Sequence, residues 1–184
     1  MAKIEVELIE NFLVVWNPTD GSELYKNSYY GKPLGIPKPK VFEFDVPLVL
    51  DLMEGLYLAE KGKIVVYEGV QQTKVGLRKL RQKAKLLYGE FEDKYAVYRD
   101  LRDSGLIVTP GIKFGCDFAV YKFGPGVEHA PFMVTVKPSG GEVSATEVVR
   151  IGRLATTVRK RFIVAVPDLG HGQVRYLMFK WFKA

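Results

Sequence analysis

The order in which helical and extended patterns alternate over the second half of the chain constrains the fold more than any other feature. From Phe91, FEDKYAVYRDLRDSG sets Tyr95, Tyr98, Leu101 and Arg102 near one edge at helical spacing, and Gly105 supplies a C-terminal stop. LIVTPG, FGCDFAVYKFG and FMVTVKP follow as short runs rich in β-branched and aromatic residues, which predicts three successive strands. Past Gly140 and Gly141, Ser144 stands three residues before Glu147, the spacing of a capping box, and opens a helix carrying Val148, Ile151, Ala155 and Val158. RFIVAVP and QVRYLMFKWF then read as two closing strands. The order αβββαββ predicts a mixed sheet flanked by helices, a compact domain over residues 90–184.

Residues 1–89 read as a separate, small α/β domain, so the fold class is α/β (α+β). KIEVELI at 3–9 alternates charged and apolar side chains and FLVVW at 12–16 is an apolar run, which predicts two strands joined by a tight turn near Glu10 and Asn11. The prolines of SYYGKPLGIPKPK exclude regular helix and make 28–40 a long inserted loop. VFEF at 41–44 alternates as a strand. Asp45 is placed to cap a helix with Pro47 in its first turn and Leu48, Leu52, Leu56 and Ala59 along one stripe. KIVVYEG is a strand. From Thr73 a basic helix carries Val75, Leu77, Leu80, Ala84 and Leu87, surrounded by Lys74, Arg78, Lys79, Arg81, Lys83 and Lys85. A solvated face is the ordinary reading of such charges, and an RNA contact is the alternative.

With 47% hydrophobic and 12% aromatic residues, 184 residues suffice for packed cores. The formal net charge of +6 favours a polyanionic partner, because Lys and Arg release counterions condensed on phosphates. The single cysteine, Cys116, excludes an internal disulfide and fits a reducing interior. No apolar run reaches membrane-spanning length and MAKIEVELIE lacks the apolar core of a secretory signal, so a cytoplasmic protein is expected. Three Asn and four Gln beside abundant Lys, Arg, Val and Tyr lean towards a heat-adapted source. The chain has no Walker loop, dinucleotide GxGxxG, CxxC pair or HExxH, so no motif calls for a metal or cofactor.

Three residues in three segments carry the chemistry: Tyr121 in DFAVYKFG, His129 in VEHAPF and Lys160 in GRLATTVRKRF. Cleaving RNA without a metal requires a group that takes the 2′-hydroxyl proton, a group that protonates the leaving 5′-oxygen, and a cation for the charge developing on phosphorus. An imidazole, which ordinarily titrates at about 6.5, suits the acid at neutral pH. A phenol ordinarily titrates at about 10, so positive charge has to favour its ionised form. Lys160 is such a charge if the helix end meets the strand. Taken singly, each residue has a plainer reading: a loop histidine, a packing tyrosine, and a cation at a helix C-terminus. His171, in LGHGQ, reads as a turn residue. A competing reading takes Asp117 and Glu142 as ligands of a metal-dependent nuclease.

YRDLRDSGLIVTPGIKFGCDFAVY, the histidine of VEHAPFMV, and RLATTVRKR followed by FIVAV closely resemble the catalytic half of archaeal tRNA-splicing endonucleases, the tRNA-intron lyases. The resemblance spans about residues 88–184, and the amino-terminal half is similar in layout only. It implies a nuclease-like C-terminal domain and metal-independent excision of introns from precursor tRNA at bulge-helix-bulge motifs, leaving 2′,3′-cyclic phosphate and 5′-hydroxyl ends. It assigns Tyr121 as general base, His129 as general acid and Lys160 as the stabilising cation, and it gives Arg153 and Arg175 a clamp on a bulged base. Planar guanidiniums suit that clamp, since stacking on a base tolerates any sequence.

Two departures bear on assembly. The segment before the last strand, PDLGHGQ, holds only Asp168 where the family inserts an acidic loop into a neighbour. The loop at 28–40 is similar to that of crenarchaeal catalytic subunits, which implies an α2β2 enzyme with a separate structural subunit in preference to a homotetramer or homodimer. In that group a loop lysine contacts RNA. Lys32, Lys38 and Lys40 are candidates, with Lys32 preferred because its glycine neighbour leaves the backbone open to phosphate. A structural, RNA-binding subunit without an active site is the alternative function. The last strand, VRYLMFKWF, is either an apolar edge for another subunit or a buried central strand.

Overall fold

Alternation in the first two runs of the chain produces a hairpin, β1 (Ile4–Ile9) and β2 (Phe12–Val15), antiparallel with Leu8 opposite Leu13. Glu10 turns the corner with φ of 51°. The computed structural model describes residues 3–37, 39–157 and 160–179. Two units divide at Gly89 and Glu90. No helix among the described residues is long and apolar enough to cross a membrane.

In the first unit, α1 (Pro18–Ser28) precedes β3 (Lys32–Pro33) and β4 (Leu48–Leu50), followed by α2 (Leu52–Glu60), β5 (Ile64–Glu68), β6 (Thr73–Val75) and α3 (Leu77–Leu87). The six strands form one sheet ordered β3-β4-β2-β1-β5-β6, with β5 parallel to β1. Four expectations are corrected. α1 stands where no helix was expected: the Asn17 side chain accepts from the Thr19 amide at 2.9 Å and Pro18 occupies the first turn, so its start signals were present. The strand is not VFEF. Phe42 and Phe44 instead close on the ring of Tyr25, and Leu48 and Leu50 are the residues that pair in the sheet and are fully buried. The following helix is capped by Asp51 rather than Asp45, because only Asp51 has a glutamate three residues on to complete a capping box. In α3, Leu80 and Ala84 are buried while Leu77 and Leu87 are nearly half exposed, and Val75 belongs to β6. Lys79 pairs with Glu68, Arg81 with Glu60 at 3.2 Å, and Lys83 donates to the Glu10 carbonyl at 3.3 Å. These three cations hold α3 to its own unit.

The second unit runs α4 (Phe91–Asp103), β7 (Ile107–Pro110), β8 (Phe118–Tyr121), β9 (Phe132–Val136), α5 (Ala145–Thr157), β10 (Arg161–Asp168) and β11 (Gln173–Phe179). Its sheet is ordered β11-β10-β9-β8-β7, and only β9 and β10 are parallel, joined through α5. The expected mixed sheet with flanking helices is present. α4 buries Phe91, Tyr95, Val97, Tyr98 and Leu101. Its buried Arg102 donates to the Tyr98 hydroxyl at 3.1 Å and to the Val108 carbonyl at 2.9 Å, which fastens the helix to β7. Phe118 meets the Tyr98 ring, while Ala119 joins Cys116, Ala130, Met133, Phe162 and Val164 in a separate cluster against which Tyr121 packs. The Glu147 amide donates to Ser144 Oγ at 3.2 Å, and the Glu147 carboxylate pairs with Lys137 at 2.9 Å. Among the described residues β11 is an edge strand with Tyr176, Leu177, Met178 and Phe179 exposed, which excludes a buried central strand over 173–179; residues 180–182 of the expected strand lie outside the described residues. Val158 of the expected α5 stripe lies outside the described residues.

Candidate active site

Strand register brings the three chemical residues to one end of one sheet. Val120 of β8 lies opposite Phe132 of β9, and Phe132 lies opposite Arg161 of β10. Tyr121 is one residue beyond Val120, Lys160 is one before Arg161, and His129 is three before Phe132. The C-terminal end of β8 and the N-terminal ends of β9 and β10 therefore meet in a row, with neighbouring strands about 4.8 Å apart. The Arg161 amide donates to the Pro131 carbonyl at 3.0 Å, which extends the pairing towards His129.

Hydrogen bonds tie the residues on either side of His129 to Lys160 and to the two residues that follow Tyr121. On one side, Lys160 Nζ donates to the carbonyl of Ala130 at 2.8 Å and lies 4.9 Å from the centre of the Phe114 ring. On the other, Glu128 Oε1 accepts from the amides of Lys122 at 2.5 Å and Phe123 at 2.6 Å, the two residues that follow Tyr121. The Val127 and Glu128 amides both donate to the Gly124 carbonyl, closing the loop on itself. His129 is exposed, whereas Tyr121 and Lys160 are half-buried.

Burial sets the electrostatics. It raises the pKa of the Tyr121 phenol; a hydrogen bond with Thr109 opposes that rise and the charge of Glu128 adds to it. Burial lowers the pKa of the Lys160 ammonium, with Cys116 acting in the opposite sense. The Cys116 thiol is itself pushed up to about 11, chiefly by burial, so it is not a nucleophile at neutral pH. The expectation that Lys160 favours a Tyr121 phenolate is corrected: its ammonium is directed to the Ala130 carbonyl and the Phe114 ring. An exposed imidazole, a phenol and an ammonium thus stand in one row, the group types that acid, base and electrostatic catalysis draw on.

Arg153 is exposed on α5. Arg175 is exposed on β11 opposite Val166, five residues along β10 from Arg161. At about 3.3 Å per residue that is roughly 17 Å from the row, so the sheet register separates Arg175 from Tyr121, His129 and Lys160 within the unit. Lys32 is exposed at the start of β3, but the reason for preferring it is corrected. Gly31 has φ of +69°, and a Cβ there would stand 2.7 Å from the Val49 carbonyl and 2.8 Å from Leu50 Cδ2. Its amide donates to Glu54 Oε1 at 3.0 Å, so the glycine serves packing against β4 rather than approach to phosphate. Lys40 is exposed and Lys38 lies outside the described residues.

Asp117 is committed elsewhere: Oδ1 pairs with Lys94 at 3.1 Å and Oδ2 accepts from the Val136 amide at 2.8 Å. Among the described residues no group of three or more His, Cys, Asp or Glu is arranged to hold a metal. His171 Nδ1 lies 2.9 Å from Asp168 Oδ2 and its amide donates to Oδ1 at 3.2 Å, which makes both residues parts of one turn. Sequence reading missed Glu128, Thr109 and Phe114. Nothing in the spacing of GPGVEH signals that its carboxylate turns back to the amides after Tyr121.

Residues 91–176 match the tRNA intron endonuclease catalytic C-terminal domain, and residues 4–80 match the tRNA intron endonuclease N-terminal domain. The chain belongs to the tRNA-splicing endonuclease family. It is 46% identical to a tRNA-splicing endonuclease of Hyperthermus butylicus over 92% of this chain and 93% of that one. A tRNA-splicing endonuclease of Sulfurisphaera tokodaii is 40% identical over 96% and 98%, and one of Saccharolobus solfataricus 39% over 98% and 99%. The similarity thus extends over the amino-terminal half, where the sequence resemblance was one of layout. As a member of this family the chain carries an enzyme's catalytic domain for tRNA intron cleavage, and Tyr121, His129 and Lys160 all fall inside it.

Proposed function

We propose that this chain is the catalytic subunit of its endonuclease and that it cuts precursor tRNA at bulge-helix-bulge motifs by attack of a 2′-hydroxyl on the adjacent phosphorus, without a metal. The observation that carries this reading is the meeting of Tyr121, His129 and Lys160 at one sheet end, through the register of β8, β9 and β10. In the reaction the ionised fraction of Tyr121 takes the 2′-hydroxyl proton. The new O–P bond forms the 2′,3′-cyclic phosphate, and His129 gives a proton to the departing 5′-oxygen. The Lys160 ammonium keeps its bond to the Ala130 carbonyl and turns its remaining N–H groups to the negative phosphorane oxygens, where a fixed cation is worth most. Arg153 and Arg175 clamp a bulged base; Arg175, roughly 17 Å along the sheet, stands apart from the cleavage row of its own chain. Lys32 contributes a phosphate contact from the first unit. The partner is a structural subunit in an α2β2 assembly.

The alternative is a structural subunit that binds RNA and cuts nothing. A scaffold needs no phenol, imidazole and ammonium in one row, and that favours the catalytic reading. His129→Ala and Lys160→Ala chains, combined with any coexpressed structural subunit, should bind precursor tRNA as the parent does and cleave it at least about 100-fold more slowly. Undiminished cleavage by both variants contradicts the assigned roles.

A further inference from the structure

The loop between Tyr121 and His129 contains a carboxylate for which the reaction as described has no use. Residues 122–128 leave β8 and return to β9 through Gly124, Pro125 and Gly126, and the glycines take φ of 114° and 90°. A turn with two glycines at positive φ is entropically costly to fix and has little intrinsic preference for one shape. Three backbone contacts close it: the Val127 and Glu128 amides to the Gly124 carbonyl, and a bridge between Pro125 and Glu128. The fourth element is a side chain. Glu128 Oε1 receives both the Lys122 and the Phe123 amide, the first two residues after Tyr121. An ionised acceptor shared by two amides makes stronger bonds than a neutral one.

We propose that Glu128 is a positioning residue for the cleavage reaction: its carboxylate clasps the start of the loop to its end and so fixes the exposed His129 relative to Tyr121. This rests on the catalytic reading of those two residues. The geometry is specific to position 128, because the clasp joins the residue next to Tyr121 with the residue next to His129, and the other flank of His129 is already held by Lys160 at the Ala130 carbonyl. Beyond burial, the Glu128 charge also acts on the Tyr121 phenol, so the carboxylate lies close to both ends of the proton-transfer path. An acid displaced by about 1 Å costs on the order of 100-fold in rate, whereas RNA held mainly by its phosphates is little affected.

The test compares Glu128→Ala, Glu128→Gln and His129→Ala in the full chain with its coexpressed structural subunit, using a precursor tRNA that contains a bulge-helix-bulge. Glu128→Ala should lower kcat between about 10- and 100-fold with KM within about threefold. Glu128→Gln keeps an oxygen that accepts from both amides and should restore kcat to within about fivefold of the parent. Amide hydrogen exchange at Lys122 and Phe123 should accelerate in Glu128→Ala and remain slow in Glu128→Gln, a readout that does not depend on activity. Parent-level kcat in Glu128→Ala while His129→Ala is inactive overturns the clasp and leaves the catalytic reading standing. Full activity in His129→Ala overturns that reading instead. Unchanged protection of the two amides in Glu128→Ala overturns the clasp whatever the cleavage rates.

Discussion

Lys160 is held half-buried between the Ala130 carbonyl and the Phe114 ring, a setting that gives an ammonium one hydrogen bond and one aromatic face in exchange for water. Burial lowers its pKa from the ordinary lysine value, and this has a kinetic consequence whose sign is fixed. In the proposed reaction the useful form is the protonated one, so cleavage should be retained below the Lys160 pKa and lost as pH rises through it. The decline should therefore begin below the ordinary lysine value of about 10.4. Lys160→Arg keeps a cation that does not titrate in this range and should move the alkaline decline to higher pH, even where its rate at neutral pH is lower. A pH series of single-turnover cleavage rates for the two chains checks this. An identical alkaline limb in both means that another group sets it. At the same scale, residue types made the site readable before any geometry: a phenol, an imidazole and an ammonium are a recognisable inventory. What could not be read was where the Lys160 charge goes, because hydrogen bonding to Ala130 depends on the pairing of β9 with β10.

Helix starts show at the element scale which signals decide. Asp45 and Asp51 both precede apolar residues at helical spacing, yet only Asp51 caps α2, with Oδ1 accepting from the Glu54 amide at 2.8 Å and Glu54 Oε2 accepting from the Asp51 amide at 3.1 Å. The second Glu54 oxygen holds Gly31, so one carboxylate joins α2 to the turn before β3. Asp51→Ala should lower stability by about 0.5–2 kcal/mol, seen as a lower denaturant midpoint with unchanged slope. A midpoint equal to the parent's would mean the cap contributes nothing. The order of strands and helices in the second unit was legible because β-branched runs, Gly105 and Ser144 punctuate it strongly. α1 was not, since its buried side is short: Leu24 and Tyr25, with Gly21 fitted against Leu48, whose Cβ would lie 2.9 Å from an added methyl. That stripe is too brief to stand out as a helical period. The Glu128 clasp was illegible for a different reason: it is a contact between a side chain and a backbone amide across a glycine loop, and no periodicity records it.

At the scale of the whole molecule, the family assignment covers both halves, while the proposed reaction and assembly rest on the arrangement of particular residues. The exposed apolar residues of β11 lie on a sheet edge, where unpaired backbone groups are open to another strand. That supports assembly with a further subunit, and Asp168, already bonded to His171, is the only carboxylate in the turn before it. The central claim is that Tyr121, His129 and Lys160 perform 2′-hydroxyl attack without a metal. It is tested most directly by mapping the ends of the fragments released from precursor tRNA by the assembled enzyme in excess chelator. The account predicts undiminished cleavage with 2′,3′-cyclic phosphate and 5′-hydroxyl ends. Cleavage abolished by the chelator, or fragments ending in 3′-hydroxyl and 5′-phosphate, would contradict it.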